Sequence, residues 1–182
     1  MVEVVVMLAM FVLIAGLVLA SFPTLSQRIN FQRSANEFAL ALRRAQNMAF
    51  AVRQADTPSG RRIPPAYGVS VARATPGSYV IFADLAGGSG TADGLYRASD
   101  DAVVETVTLG SAIQFGELIA DIGGANRRED VITVTFSVPE ARMAITNAAS
   151  PVGESAEIIF TGRTPGFTRS VIVRTTGQIY VR

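Results

Sequence analysis

Met1-Val2-Glu3-Val4-Val5-Val6-Met7-Leu8-Ala9-Met10-Phe11-Val12-Leu13-Ile14-Ala15-Gly16-Leu17-Val18-Leu19-Ala20-Ser21-Phe22-Pro23 opens the chain, and Glu3 is its one charge before Arg28. About 20 such residues in a helix, at ~1.5 Å each, reach most of the way across a ~30 Å hydrocarbon layer. The stretch therefore predicts an N-terminal helix that sits in lipid or in an equally apolar protein environment. An ionised acid costs about 2.5–3.5 kcal/mol at mid-bilayer and less near the interface, so Glu3 is expected to have a partner or a function. Val18-Leu19-Ala20-Ser21 could pass for a signal-peptide cleavage site, but the basic segment that precedes one is missing.

The helical pattern outlasts the hydrophobic run. From Thr24 to about Gln54, Leu25, Ile29, Phe38, Leu42, Ala45, Ala49 and Val52 recur mostly at spacings of three and four, with Gln27, Arg28, Arg33, Arg43, Arg44 and Arg53 between them. One continuous helix, apolar all round at its start and amphipathic at its end, is the simplest reading. Gly16 and Pro23 are its weak points, because glycine is entropically unfavourable in a helix and proline removes a backbone donor. A kink or melted turn is expected between them.

Asp56-Thr57-Pro58-Ser59-Gly60-Arg61-Arg62-Ile63-Pro64-Pro65 ends the helical pattern with three prolines and a glycine. Beyond it the period falls to two. Tyr67 to Val71, Tyr79 to Phe82, Val103 to Val107, Ala112 to Phe115, Val131 to Phe136, Glu157 to Phe160, Val171 to Val173 and Ile179 to Val181 are short, rich in β-branched or aromatic residues, and bounded by turn formers. Ser170 to Arg174 and Gln178 to Val181, around Thr175-Thr176-Gly177, give the best hairpin signal. The expected fold class is α+β: a long N-terminal α-helix, the membrane or filament core, packed on a C-terminal antiparallel β-rich globular domain. Residues 1–55 form the helix and 56–182 the head.

Composition narrows the chemistry. The 182 residues include no Cys, His or Lys. Thiolate or imidazole metal sites, disulfides, a Ser-His-Asp triad and lysine chemistry are all excluded. About 125 residues remain after the helix, enough for one compact head. Neither an enzyme nor a cofactor is expected. The net charge of +1 argues against bulk attraction to nucleic acid, although Arg43, Arg44, Arg61, Arg62, Arg163 and Arg169 would suit phosphate if they met on one face. Asp84, Asp93, Asp100 and Asp101, in and beside a glycine-rich loop, are the candidate ligands for calcium, against the simpler reading of a solvated turn. Asp121, Glu129 and Asp130 are a second acidic group, with Arg127 and Arg128 alongside to neutralise it.

The apolar start with its glutamate, from Met1 to Pro23, resembles the type IV pilin superfamily, including the pseudopilins of type II secretion. Asn36-Glu37-Phe38-Ala39-Leu40-Ala41-Leu42-Arg43-Arg44-Ala45-Gln46-Asn47-Met48-Ala49 and the closing Gly177-Gln178-Ile179-Tyr180-Val181-Arg182 are similar to the minor pseudopilin H and minor pilin T group. The resemblance implies a pilin-like fold and a structural subunit of a helical, homo-oligomeric filament. It implies that Glu3 pairs with a neighbouring subunit's terminal amine, and that Gly16 and Pro23 mark where the helix unwinds. It also implies an inner-membrane assembly platform, prepilin peptidase and minor pilins as partners. The subunit would be a single-pass membrane protein before assembly and a cell-surface filament, or a periplasmic pseudopilus, afterwards. By that alignment Met1 is the third mature residue, with the leader absent. Alternatives within the resemblance are a type II secretion pseudopilin and a DNA-binding minor pilin. Gln178 and Tyr180 replace the arginines of the basic motif that some DNA-binding members carry.

Overall fold

The computed structural model describes residues 2–57, 60–85, 93–148, 153–162 and 167–182, and the side chains of 19–25 fall outside that description. Helix α1 spans Val2–Phe50, 49 residues, and is helical through both Gly16 and Pro23. The expected melted turn is therefore not seen in this conformation. Its C-terminus closes as a Schellman motif, with Arg53 N–H on the Met48 carbonyl at 3.1 Å and Val52 N–H on the Ala49 carbonyl at 3.2 Å. Such a cap needs a left-handed residue, and here it is Val52, at φ +49°.

Twelve strands follow among the described residues. They are β1 (Ala55–Thr57), β2 (Gly60–Arg62), β3 (Ala66–Ala72), β4 (Ser78–Asp84), β5 (Ala102–Thr108), β6 (Ile113–Ile122), β7 (Ala125–Glu129), β8 (Val131–Ser137), β9 (Met143–Thr146), β10 (Ser155–Gly162), β11 (Thr168–Arg174) and β12 (Ile179–Val181). β1 and β2 pair as a small ribbon, and the rest form two five-stranded sheets ordered β5-β4-β3-β8-β9 and β12-β11-β10-β6-β7. Every pairing is antiparallel. The hairpin expected around Thr175-Thr176-Gly177 is β11–β12, with Val173 opposite Ile179 and Arg174 N–H on the Gln178 carbonyl at 2.9 Å.

The α+β expectation is corrected by this arrangement. Strands in three antiparallel sheets hold more of the chain than the helix does, so the architecture is mostly β. β1, β2, β7 and β9 went unforeseen because they are short or, like Ala125-Asn126-Arg127-Arg128-Glu129, polar. Pairing with a neighbour makes them strands, without an alternating pattern of their own. The membrane-core role given to the helix is corrected as well: among the described residues no helix is long and apolar enough to cross a membrane.

The second half of α1 and both large sheets share one hydrophobic core. α1 contacts β3 and β8 in one sheet and β11 and β12 in the other. The helix buries Phe31, Ala35, Phe38, Leu42, Ala45 and Ala49. Phe38, Leu42, Ala45 and Ala49 were expected in this face; of the others expected there, the Leu25 side chain falls outside the description, Val52 is 38% exposed, and Ile29 is 59% exposed. Phe31 and Ala35 take its place because the face turns with the 3.6-residue period, which 31, 35, 38, 42, 45 and 49 follow closely. The Phe38 ring meets Tyr79 edge-on at 5.1 Å, Phe160 at 5.8 Å and Phe115 at 5.9 Å between centroids. Tyr79 belongs to one sheet and the two phenylalanines to the other, so one side chain joins all three layers.

Candidate functional site

The first turns of α1 carry a surface that no part of the head covers. Val2 is 78% exposed, Met7 65%, Phe11 72% and Ile14 61%. A continuous apolar surface of this kind is ordinarily an interaction site. Its uniform hydrophobicity, all round rather than along one stripe, fits a helix surrounded by apolar neighbours on every side. Glu3 sits in the first turn, where the positive end of the helix dipole favours a carboxylate. Farther along, the exposed Ile29 and Leu40 flank the ion pair of Arg33 with Glu37, 2.8 Å apart.

The predicted arginines that are described stand on α1 (Arg43, Arg44), β2 (Arg61, Arg62) and β11 (Arg169). Arg44 is paired with Glu105 of β5, and Arg61 with Asp56 at 2.7 Å. Arg43 is exposed on α1 and Arg62 on β2. Arg169 stands on the other sheet, in a shallow depression with Glu157, Ser170 and Arg182. Arg163 lies outside the described residues. The second acidic group is likewise dispersed: Asp121 accepts the Gly124 N–H at 2.9 Å, Glu129 accepts from Asn147, and Asp130 faces Arg73 at 3.5 Å. Arg128 pairs instead with Glu117 at 3.0 Å.

Of the proposed calcium ligands, Asp84, Asp93 and Asp101 lie near enough to act on one another electrostatically. Asp84 ends β4 fully buried, and its Oδ2 accepts the Gly94 N–H at 2.9 Å. Asp101 accepts the N–H of Leu85 at 3.0 Å and that of Arg97 at 2.7 Å. Asp93 accepts the Leu95 N–H and pairs with Arg97 at 3.1 Å. Asp100 is exposed beside them. Among the described residues no three acidic side chains are grouped so as to hold a metal ion. Burial pushes the Asp84 carboxyl up to about 7, the charges of Asp101 and Asp93 add to that, and the backbone N–H groups of Gly94 and Asp93 oppose it. Burial likewise raises Asp101, against the N–H groups of Arg97 and Leu85. The sequence signal for Asp84 was present but faint: an acid closing the apolar run Tyr79-Val80-Ile81-Phe82-Ala83 and followed by Leu85.

A third titrating group lies between the layers. The Tyr79 phenol, buried against Phe38 and Phe115, is pushed up to about 12, chiefly by burial and further by Glu37 and Glu105. Arg44, which pairs with Glu105, partly offsets the rise.

No protein-family model, no curated protein and no solved structure matches the chain.

Proposed function

We propose that the chain is a structural subunit of a type IV pilus-like filament, in which the first half of α1 packs against the same segment of neighbouring copies. The observation that carries this reading is the contrast within one helix. From Phe31 onward it is anchored in the core of the head, while from Val2 to Ile14 its large apolar side chains are about half to three-quarters exposed. A surface of this size is unstable in water, at about 25 cal/mol per Å² of apolar area. Before assembly it dips into lipid without crossing it, and afterwards it is held by other subunits.

Moving from lipid to subunits gains little hydrophobic energy, so close packing and polar pairing must select the assembled state. Glu3 is the pairing group. An acid matched to a cation in an apolar filament core fixes one axial register, and every slipped register leaves it buried and unpaired. The test is electron microscopy of sheared surface material from cells expressing the wild-type chain or Glu3→Ala, with near-UV circular dichroism of the head as a folding control. Filaments are expected from the wild type and are expected to be lost or much reduced in the variant while the head spectrum is unchanged. Filaments of normal number and length from Glu3→Ala would refute the role of Glu3, and a filament much shorter than a pilus would direct the reading to a secretion pseudopilus.

A further inference from the structure

β4 carries an acid into the core and leaves it half satisfied. Oδ2 of the fully buried Asp84 holds the Gly94 N–H, and the backbone N–H of Asp93 also acts on the carboxyl, but among the described residues Oδ1 has no hydrogen-bond partner. Gly94 is gripped from both sides, since the Thr146 hydroxyl of β9 donates to its carbonyl. Its φ of +72°, with only 3.1 Å between an added Cβ and Thr146 Cγ2, leaves no place for a side chain. Asp101 closes the other end of the segment by accepting the Leu85 and Arg97 N–H groups.

Among the described residues, the groups facing Asp84 offer it no cation. The charges that act on it are those of Asp101 and Asp93, both unfavourable to its ionised form. Asp100 adds negative charge beside Asp101. The nearest arginine in the segment, Arg97, is turned to Asp93. β8 and β9 present the neutral Thr135 and Thr146 around Gly94. An ionised Asp84 would thus bury one bare oxygen among acids, which is the costly arrangement for a carboxylate.

We propose that Asp84 is a proton latch that docks residues 93–101 onto the ends of β4 and β9 in acid and loosens them as the solution approaches neutrality. This inference does not depend on the filament reading. Docked, Asp84 keeps its proton up to about pH 7; undocked and solvated, it loses it near its ordinary value of 3.8. Docking is therefore strongest below about pH 4, weakens about tenfold per pH unit as pH rises to about 7, and is level above that.

Amide hydrogen exchange on the full chain in detergent micelles tests the latch, with rates corrected for the intrinsic effect of pH. Protection at Leu85, Gly94 and Arg97 is expected to fall about tenfold per unit from pH 5 to 7 and then level off, while protection in the middle of β3 stays constant. Asp84→Asn, which keeps the shape without the charge, is expected to remove most of the slope, leaving the smaller part that the raised Asp101 contributes. Equal wild-type protection at pH 5 and 7 would overturn the proposal. So would a slope undiminished in Asp84→Asn, or restoration of protection at pH 8 by millimolar calcium, which would make the acids a cation site. Should the variant not fold, carbon NMR of the wild-type Asp84 carboxyl decides: a midpoint near 7 supports the latch and one near 4 refutes it.

Discussion

Truncating Phe38 to alanine is expected to destabilise the whole head. The side chain is 1% exposed and touches aromatic rings from both large sheets. Removing a side chain that buries roughly 150–250 Å², at about 25 cal/mol per Å², gives ~4–6 kcal/mol. That is an upper value, because the unfolded chain already buries part of the ring. Measured Phe→Ala truncations in protein cores cost about 3–5 kcal/mol once the residual cavity is included, and we adopt that range. For a chain of this size it corresponds to a fall in Tm of roughly 6–20 °C. The assay is thermal and urea unfolding of the full chain in detergent micelles, followed by near-UV circular dichroism and by tyrosine fluorescence. Leu40→Ala serves as the control, because Leu40 is 60% exposed on the same helix, and it is expected to change stability by no more than ~0.5 kcal/mol. The two optical probes should move together, since Phe38 ties the sheets to one helix. A loss below about 1 kcal/mol, indistinguishable from Leu40→Ala, would refute the claim that this ring joins the layers.

Two further substitutions test the backbone. Val52→Gly should leave stability unchanged or raise it by up to ~1 kcal/mol, because glycine carries no penalty at φ +49° in a Schellman cap whereas a β-branched residue does; a loss of more than 1 kcal/mol by urea titration would show that the Val52 side chain has a packing role. Gly68→Ala should cost about 1–3 kcal/mol, since its Cβ would stand 2.7 Å from the Phe82 ring and 2.9 Å from Thr135 Cγ2 on the two flanking strands, and wild-type stability in the same titration would show that the Phe82 ring can yield.

The amphipathic spacing around Phe38 and Leu42, the period-two runs and the Thr175-Thr176-Gly177 turn were legible in the sequence. Each is a local pattern, set by the geometry of a helix, a strand or a two-strand turn. The exposed start of α1 was legible for the same reason, as no later segment offers a matching apolar groove. What the sequence did not reveal was everything that depends on which distant segments meet. β6 pairs with β10 across about forty residues, β3 lies between β4 and β8, and β7 exists as a strand only because β6 lies beside it.

The same division holds for the candidate sites. Glu3 and the apolar run around it could be identified by composition and position alone, because an acid among valines is conspicuous without a fold. Asp84 could not be separated from Asp93, Asp100 and Asp101 in the sequence, where all four read as acids of one polar loop. Only the tertiary structure takes Asp84 out of water, turns its Oδ2 to Gly94 and leaves its Oδ1 bare, while Asp100 stays exposed. By itself the sequence determined a helix with an uncovered apolar start and a β-rich remainder, since periodicity and turn chemistry act over a few residues. The tertiary structure decided how the strands divide into sheets, which helix face is buried and which acid loses its solvent, because burial and long-range pairing are properties of the assembled chain.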